Sequence, residues 1–210
     1  MSYCSLPFKQ ITMKAFDGNS CQHFLPCSHI LKSEVEDACT VRPTKGKLDL
    51  TPEEGFNLYQ DVRDSMLKGE RHEMCKVCWD KEDKGKTSYR QNIDKFVEDS
   101  EKYVIDINCG NVCNLACRMC LPSFSTKVKK VWDILGKTQN MEVDTLMNTP
   151  DYILKNRKHI SYVDINGGEP FYHKKAKNLL RELIRTSDNE HITLHITTNA
   201  TRIDPDTVAM

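Results

Sequence analysis

The sequence lacks three features that would assign it at once to a broad class of protein. It has no net charge, with 30 basic and 30 acidic residues among 210, so no strong overall field attracts nucleic acid or an anionic membrane surface. No apolar run approaches the length of a membrane span, and residues 1–7 lack the pattern of a signal peptide. We therefore expect a cytoplasmic protein whose partners are neither membranes nor nucleic acids.

Cysteine, in contrast, is abundant. The chain has ten cysteines, a number that in a short secreted protein would indicate a disulfide framework. Here several of them stand at the close spacings of metal ligands, and the signal peptide that a secreted protein needs is missing. These observations favour a reducing compartment and cysteines that bind metal.

Cys113, Cys117 and Cys120 form the most informative group, with the spacing Cys-x3-Cys-x2-Cys. Thiolates are the usual ligands of 4Fe-4S clusters, and three of them leave one iron open to bind and activate a substrate. This predicts catalysis rather than simple electron carriage. The alternative is a zinc site with Cys109 as fourth ligand, but zinc sites usually combine two separated pairs. We interpret Cys109 as a buried, apolar residue at the end of a strand.

The run that contains these cysteines resembles the signature of the radical S-adenosylmethionine (radical SAM) enzymes. Residues 165–171 resemble the Gly-Gly-Glu-Pro motif of that family, and residues 197–200 are similar to its Thr-Asn-Gly motif, with Ala200 in place of glycine. The resemblance implies S-adenosylmethionine bound at the open iron through its amino and carboxylate groups. It assigns the contacts with this cofactor to Gly167, Gly168, Glu169 and Asn199, with Glu169 receiving the ammonium group.

The activity that the resemblance implies is reductive cleavage of S-adenosylmethionine at the 4Fe-4S cluster. The resulting 5′-deoxyadenosyl radical abstracts hydrogen from a substrate, which the resemblance leaves open as a peptide or a small molecule. The electron would come from a reductant such as flavodoxin or ferredoxin. Met119 stands where the family often has an aromatic residue.

A second metal site is predicted in the first half of the chain. Cys75 and Cys78 form a Cys-x2-Cys pair after a helix predicted at 52–67, and two more ligands must come from elsewhere. A strand predicted at 10–16 is followed by the hairpin signal Asp17-Gly18, and the candidates near this hairpin are Cys4, Cys21 and Cys27.

This half resembles the twitch module, an auxiliary-cluster domain of some phage-type radical SAM proteins. The resemblance implies a second iron–sulfur cluster, with Cys21 as the substitute for Cys27. The implied ligands are Cys4, Cys27, Cys75 and Cys78. The alternative is a zinc site that His23 or His29 could join, and Cys39 is interpreted as an ordinary core residue.

From residue 103 onward the pattern becomes strand, motif, helix, three times over. Strands are predicted at 104–108, 160–165 and 192–197, and such repeats imply a parallel sheet whose C-terminal strand ends carry the functional loops. The helix after the cysteine motif is expected to bury an apolar stripe. Its members are Phe124, Val128, Val131, Trp132 and Leu135.

The fold class predicted is α/β, a partial (β/α) barrel of the radical SAM type with only its first three units, preceded by the twitch-like module. Residues 1–100 are assigned to the module with a linker helix, and residues 101–210 to the first half of the catalytic domain, which we expect to be truncated. Two other functions remain open. One is an iron–sulfur protein for electron transfer or redox sensing that does not turn over S-adenosylmethionine, and the other is a zinc-stapled binding module.

Overall fold

The structure is a computed structural model that describes residues 4–15, 22–25, 27, 57, 59–93, 102–137 and 149–202. Cys21, His29 and Cys39, together with the predicted helix start at 52–56, lie outside the described residues. Among the residues described, no helix is long and apolar enough to cross a membrane.

The described strands form one sheet in the order β2-β1-β3-β4-β5. They are β1 (Gln10–Ala15), β2 (Gln22–Leu25), β3 (Tyr103–Asn108), β4 (Ile160–Asn166) and β5 (Thr193–Ile196). The last three run parallel to one another, as predicted, and this small parallel sheet is compatible with part of a radical SAM fold. The predicted hairpin is also present, since β2 pairs antiparallel with β1.

The sheet also contains a pairing that the sequence did not predict. Strand β1 lies parallel to β3, with Gln10 opposite Val104 and Met13 opposite Ile107. The hairpin therefore extends the parallel sheet at the edge formed by β3. Residues assigned by sequence to two separate modules share this sheet.

The helices follow the motifs in chain order. They are α1 (Leu6–Lys9), α2 (Gln60–Leu67), α3 (Lys76–Asp83), α4 (Tyr89–Ile93), α5 (Thr126–Ile134), α6 (Thr149–Asn156) and α7 (Lys174–Arg185). Gly69 follows α2 with a φ of 75°, a left-handed conformation that suits glycine and ends the helix.

One face of the sheet is apolar and buried beneath α6 and α7. Ile105 and Ile107 of β3 and Val163 of β4 are at most 1% exposed, and they pack in one cluster with Leu179 and Leu180 of α7. Burial of aliphatic side chains of this size stabilises the fold by about 1.5–3 kcal/mol each. A second, smaller cluster joins α1 to α2 through Leu6, Val62 and Met66.

Helix α5 differs from its prediction. Val128 is buried, but Val131 is 47% exposed and Leu135, just after the helix, is 60% exposed. The helix does not belong to either buried cluster of the described residues. The apolar stripe predicted from the sequence is therefore present, but most of its side chains are not buried.

Candidate functional site

The loops that follow β3, β4 and β5 meet at one end of the sheet, where these three strands have their C-termini. The cysteine loop is joined to the end of β4 because the backbone N–H of Cys109 donates to the carbonyl of Asn166 at 2.7 Å. The backbone N–H of Glu169 donates to the carbonyl of Val112 at 2.8 Å, and that of Thr197 to Ile165 at 2.9 Å. Parallel strands bring their C-terminal ends to the same edge, so the three sequence motifs lie side by side.

Polar contacts within the cysteine loop fix its path. The Ser125 hydroxyl donates to the carbonyl of Leu115 at 2.6 Å and accepts from the backbone N–H of Val128 at 3.3 Å. The same side chain thus caps the N-terminus of α5 and fastens the loop. Thr126 adds a bond from its hydroxyl to the carbonyl of Cys113 at 3.3 Å.

The three predicted cluster cysteines lie together on this loop. Cys113 and Cys120 are partly buried and Cys117 is exposed. The pKa of Cys120 is raised, first by burial and then by its Cys117 and Cys113 neighbours. Binding a metal group there requires the thiols to lose their protons, so it should release protons to solvent.

Cys109 has a different environment. Its side chain is 2% exposed and belongs to the apolar cluster beneath the sheet. Burial, with a smaller contribution from Glu169, raises its pKa to about 12. A buried thiol of this kind is inert, so the interpretation of Cys109 as an apolar strand-end residue is confirmed.

Gly168 packs closely against the backbone of the cysteine loop, and Gly167 packs against the side chain of Asn108 at the end of β3. Their φ angles are 81° and 53°. A Cβ atom at Gly168 would lie 2.6 Å from the carbonyl oxygen of Val112, and one at Gly167 would lie 2.2 Å from Oδ1 of Asn108. At Gly168 only glycine fits both the positive φ and the space between backbone atoms, whereas at Gly167 the positive φ is the main reason for glycine. Gly168 therefore allows two motifs to pack together, in addition to the ligand role that the resemblance implies.

Glu169 is almost completely enclosed, with 1% of its surface exposed. Its Oε1 accepts from the Thr198 hydroxyl at 2.7 Å and from the backbone N–H of Phe171 at 3.2 Å. Its Oε2 accepts from the backbone N–H of Asn199 at 2.7 Å. The carboxylate thus ties the end of β4 to the end of β5, and three of its roughly four acceptor positions are in use.

Asn199 connects this pair of loops to the cysteines. Its side-chain nitrogen lies 3.8 Å from the sulfur of Cys113 and donates to Oδ1 of Asn114 at 3.0 Å. The next residue, Ala200, has a φ of 54°, a left-handed conformation in which alanine costs about 1–2 kcal/mol relative to glycine. This is the position where the family motif has glycine, so the backbone keeps the conformation that glycine usually supplies.

The face of the sheet opposite the apolar cluster carries polar residues that the sequence analysis did not select. Asp106, Asp164 and His195 are aligned by strand register. Oδ1 of Asp106 accepts from the side chain of Asn166, and Nδ1 of His195 lies 3.0 Å from Oδ1 of Asp164. Strands of a parallel sheet buried on both faces are nearly continuous runs of apolar residues. The acids at alternate positions of β3 and β4 were the signal that could have revealed a polar face.

The predicted cysteines of the first half also lie around one pocket. Its wall includes all four residues that the resemblance implied as ligands, Cys4, Cys27, Cys75 and Cys78. Arg90 is part of the same wall and is paired with Glu82, whose carboxylate also accepts from the Ser88 hydroxyl. Of His23, which was considered as an alternative ligand, the structure describes only the backbone.

The candidate ligands of both groups are all cysteines. Across the described parts of the chain, no three His, Cys, Asp or Glu side chains converge closely enough to hold one metal ion. Zinc needs such convergence on a single atom. The cysteines of an iron–sulfur cluster bind different iron atoms, and both cysteine groups consist of thiols alone.

Comparison with known proteins identifies a family that matches the part of the chain with these three loops. No curated protein and no solved structure matches the chain. Residues 107–210 match the family described as the Radical SAM superfamily, and this range begins inside β3 and includes all three motif loops. The part of the chain that carries the three loops is therefore similar to the Radical SAM superfamily over residues 107–210.

Proposed function

We propose that the chain is a radical SAM enzyme in which Cys113, Cys117 and Cys120 hold a 4Fe-4S cluster. The observation that carries the proposal is the meeting of three motif loops at one sheet edge, where Cys113 lies within 3.8 Å of Asn199. When bound, the cluster supplies the electron that cleaves S-adenosylmethionine to methionine and a 5′-deoxyadenosyl radical, which abstracts hydrogen from the substrate. The protein positions S-adenosylmethionine and the substrate, and it shields the radical.

The residues around the cysteines have separate tasks in this proposal. Glu169 uses its remaining acceptor position for the ammonium group of S-adenosylmethionine, and its three internal bonds hold the carboxylate in a fixed orientation. Such preorganised, charge-assisted hydrogen bonds are about twice as strong as neutral ones. Gly167 and Gly168 bring the backbone close to the ligand, and Asn199 offers its side chain between ligand and cysteine loop.

The substrate binds on the polar face beneath the loops. His195 and Asp164 are both partly exposed there, with side chains 57% and 31% accessible, and they offer a hydrogen-bonding pair to a peptide or a small molecule. Residues 101–210 form the catalytic part in this proposal, and residues 1–100 form an accessory module whose β1 strand is shared with the catalytic sheet.

The test of the function is product analysis. The chain, reconstituted anaerobically with iron and sulfide, is expected to release 5′-deoxyadenosine and methionine after reduction with dithionite in the presence of S-adenosylmethionine. Chromatography with mass detection measures both products. A protein that forms the cluster and accepts an electron, yet releases neither product, would be an electron-transfer or redox-sensing protein instead.

We further propose that Cys4, Cys27, Cys75 and Cys78 hold a second iron–sulfur cluster. All four thiols border one pocket, three of them are buried, and the remaining wall is formed mainly by apolar side chains such as Leu6 and Met66. Four thiolates from three separate segments would fasten the chain just before α1 and just after β2 to α3, so binding would contribute to folding.

Cys75→Ala combined with Cys78→Ala is expected to lower the iron and sulfide content by about one cluster. The melting temperature should fall as well, because metal binding at this site contributes to the free energy of folding. Metal analysis and thermal unfolding measure the two effects, with the signal of the other cluster as internal control. Loss of zinc at constant iron would instead establish the zinc site.

A further inference from the structure

Several large apolar side chains are exposed on the cysteine loop and on α5 and just after it. Large hydrophobic side chains on the loop and on α5 are exposed by 38% to 90% of their surface. They are Met119, Leu121, Phe124, Val131, Ile134 and Leu135, which we name the loop–helix patch. A group of exposed apolar side chains with polar residues around it is a candidate interaction site.

The loop–helix patch is bordered by positive charge. Lys127 and Lys130 are exposed on α5, at positions that share a face with Ile134 because residues three, four and seven apart are neighbours on a helix. The only acidic residue of α5, Asp133, is neutralised by Lys129 at 3.2 Å. Arg118 on the loop is also exposed, so the described border of the patch is basic.

The patch is attached to the proposed catalytic cysteines. Cys117 is exposed and is followed two residues later by Met119, the most exposed member of the patch. Helix α5 begins where Thr126 bonds to the carbonyl of Cys113. A protein seated on the patch would therefore lie directly against the cysteine loop, which is where an electron has to enter.

We propose that the loop–helix patch is the docking surface for an acidic electron-carrier protein of the flavodoxin or ferredoxin class. The inference rests on the proposed function, because that reaction needs one electron from a donor. An apolar centre with a basic border complements a carrier whose cofactor is surrounded by acidic residues, and complementary charge accelerates encounter. A second copy of the chain would present the same basic border and be repelled.

The test compares two ways of reducing the same protein. Reconstituted chain is mixed anaerobically with reduced flavodoxin or, separately, with dithionite, and loss of the cluster's visible absorption is followed by stopped flow. Lys127→Glu with Lys130→Glu is expected to slow reduction by flavodoxin roughly tenfold or more at low salt. The dithionite rate should stay unchanged, since a small reductant needs no docking surface.

Two further variants complete the design. Lys155→Glu with Lys158→Glu makes the same charge change at exposed residues that precede β4, at the opposite end of the sheet, and should leave both rates unchanged. Ile134→Ser removes an apolar side chain that is 84% exposed and should weaken flavodoxin binding without unfolding the protein.

The outcomes separate the two proposals. Equal flavodoxin rates for parent and charge-reversed protein, with normal reduction by dithionite, would overturn the docking surface. Absence of a reducible cluster in every sample would overturn the proposed function instead. The parent's flavodoxin rate should also fall as salt is added, because salt screens exposed charges, and a rate independent of salt would likewise contradict the docking surface.

Discussion

Replacing Cys113, Cys117 and Cys120 together with alanine is expected to abolish the response of the protein to S-adenosylmethionine. In the parent protein, the electron paramagnetic resonance signal of the reduced 4Fe-4S cluster should shift when S-adenosylmethionine is added, because the ligand occupies the open iron. The triple variant has no thiolates on the loop to hold that cluster. It should show neither the shift nor any release of 5′-deoxyadenosine.

Cys109→Ala is the matched control for this experiment. Cys109 is in the same loop region, but its thiol is buried in the apolar cluster and its pKa is raised to about 12. Its replacement should cost some stability, on the order of 1 kcal/mol for a small core truncation, and leave the cluster signal intact. If the triple variant kept the shift while Cys109→Ala lost it, the ligand assignment would be wrong.

Glu169→Gln is expected to weaken binding of S-adenosylmethionine roughly tenfold to a hundredfold. A charge-assisted hydrogen bond contributes about 1.5–3 kcal/mol, and each 1.4 kcal/mol corresponds to about tenfold in affinity. The structure adds a second effect. An amide group in place of the carboxylate turns one acceptor into a donor, which would then face the Thr198 hydroxyl or the Asn199 N–H.

The free energy of unfolding of Glu169→Gln should therefore fall as well, by about 1–3 kcal/mol for a buried group left without its partner. Calorimetric titration on the intact cluster and chemical denaturation measure the two quantities separately. Glu182→Gln, at an exposed position of α7, makes the same chemical change and should alter neither. Reduced stability combined with unchanged affinity would show that Glu169 only fastens the two loops.

The contacts behind these expected losses of affinity and stability were only partly predictable from the sequence. The strands β3, β4 and β5 and their order along the edge were predictable, because apolar runs ending in Cys109, Gly167 and Thr197 recur with helices between them. The partners of the Glu169 carboxylate were not, since they come from a loop 29 and 30 positions away. A motif predicts the presence of a carboxylate but not how many of its acceptor positions the protein itself uses.

In the fold as well, local features had signals in the sequence, whereas contacts between distant elements did not. Helix α6 had local signals, with Pro150 near its start and Asp151 in its first turn, that the sequence analysis did not use. The exposure of α5 could not be predicted. An apolar stripe such as Val128 and Val131 shows which residues are hydrophobic, but it does not show whether another element covers them. The pairing of β1 with β3 could not be predicted either, because the sequence pattern of a strand does not indicate which other strand it pairs with.

That pairing bears on how the chain folds. Thr12 of β1 contacts Asp106 of β3 across 94 positions of sequence, whereas β4 and β5 follow one another closely. Closing so long a loop costs conformational entropy before the ladder returns any stabilisation, and contacts of high sequence separation slow folding. We expect β3, β4 and β5 to assemble first and β1 to join last, an order that pulsed hydrogen exchange would reveal as late protection of β1. Until then the β3 edge is open to another chain, so the period of greatest risk of misassembly falls late in folding.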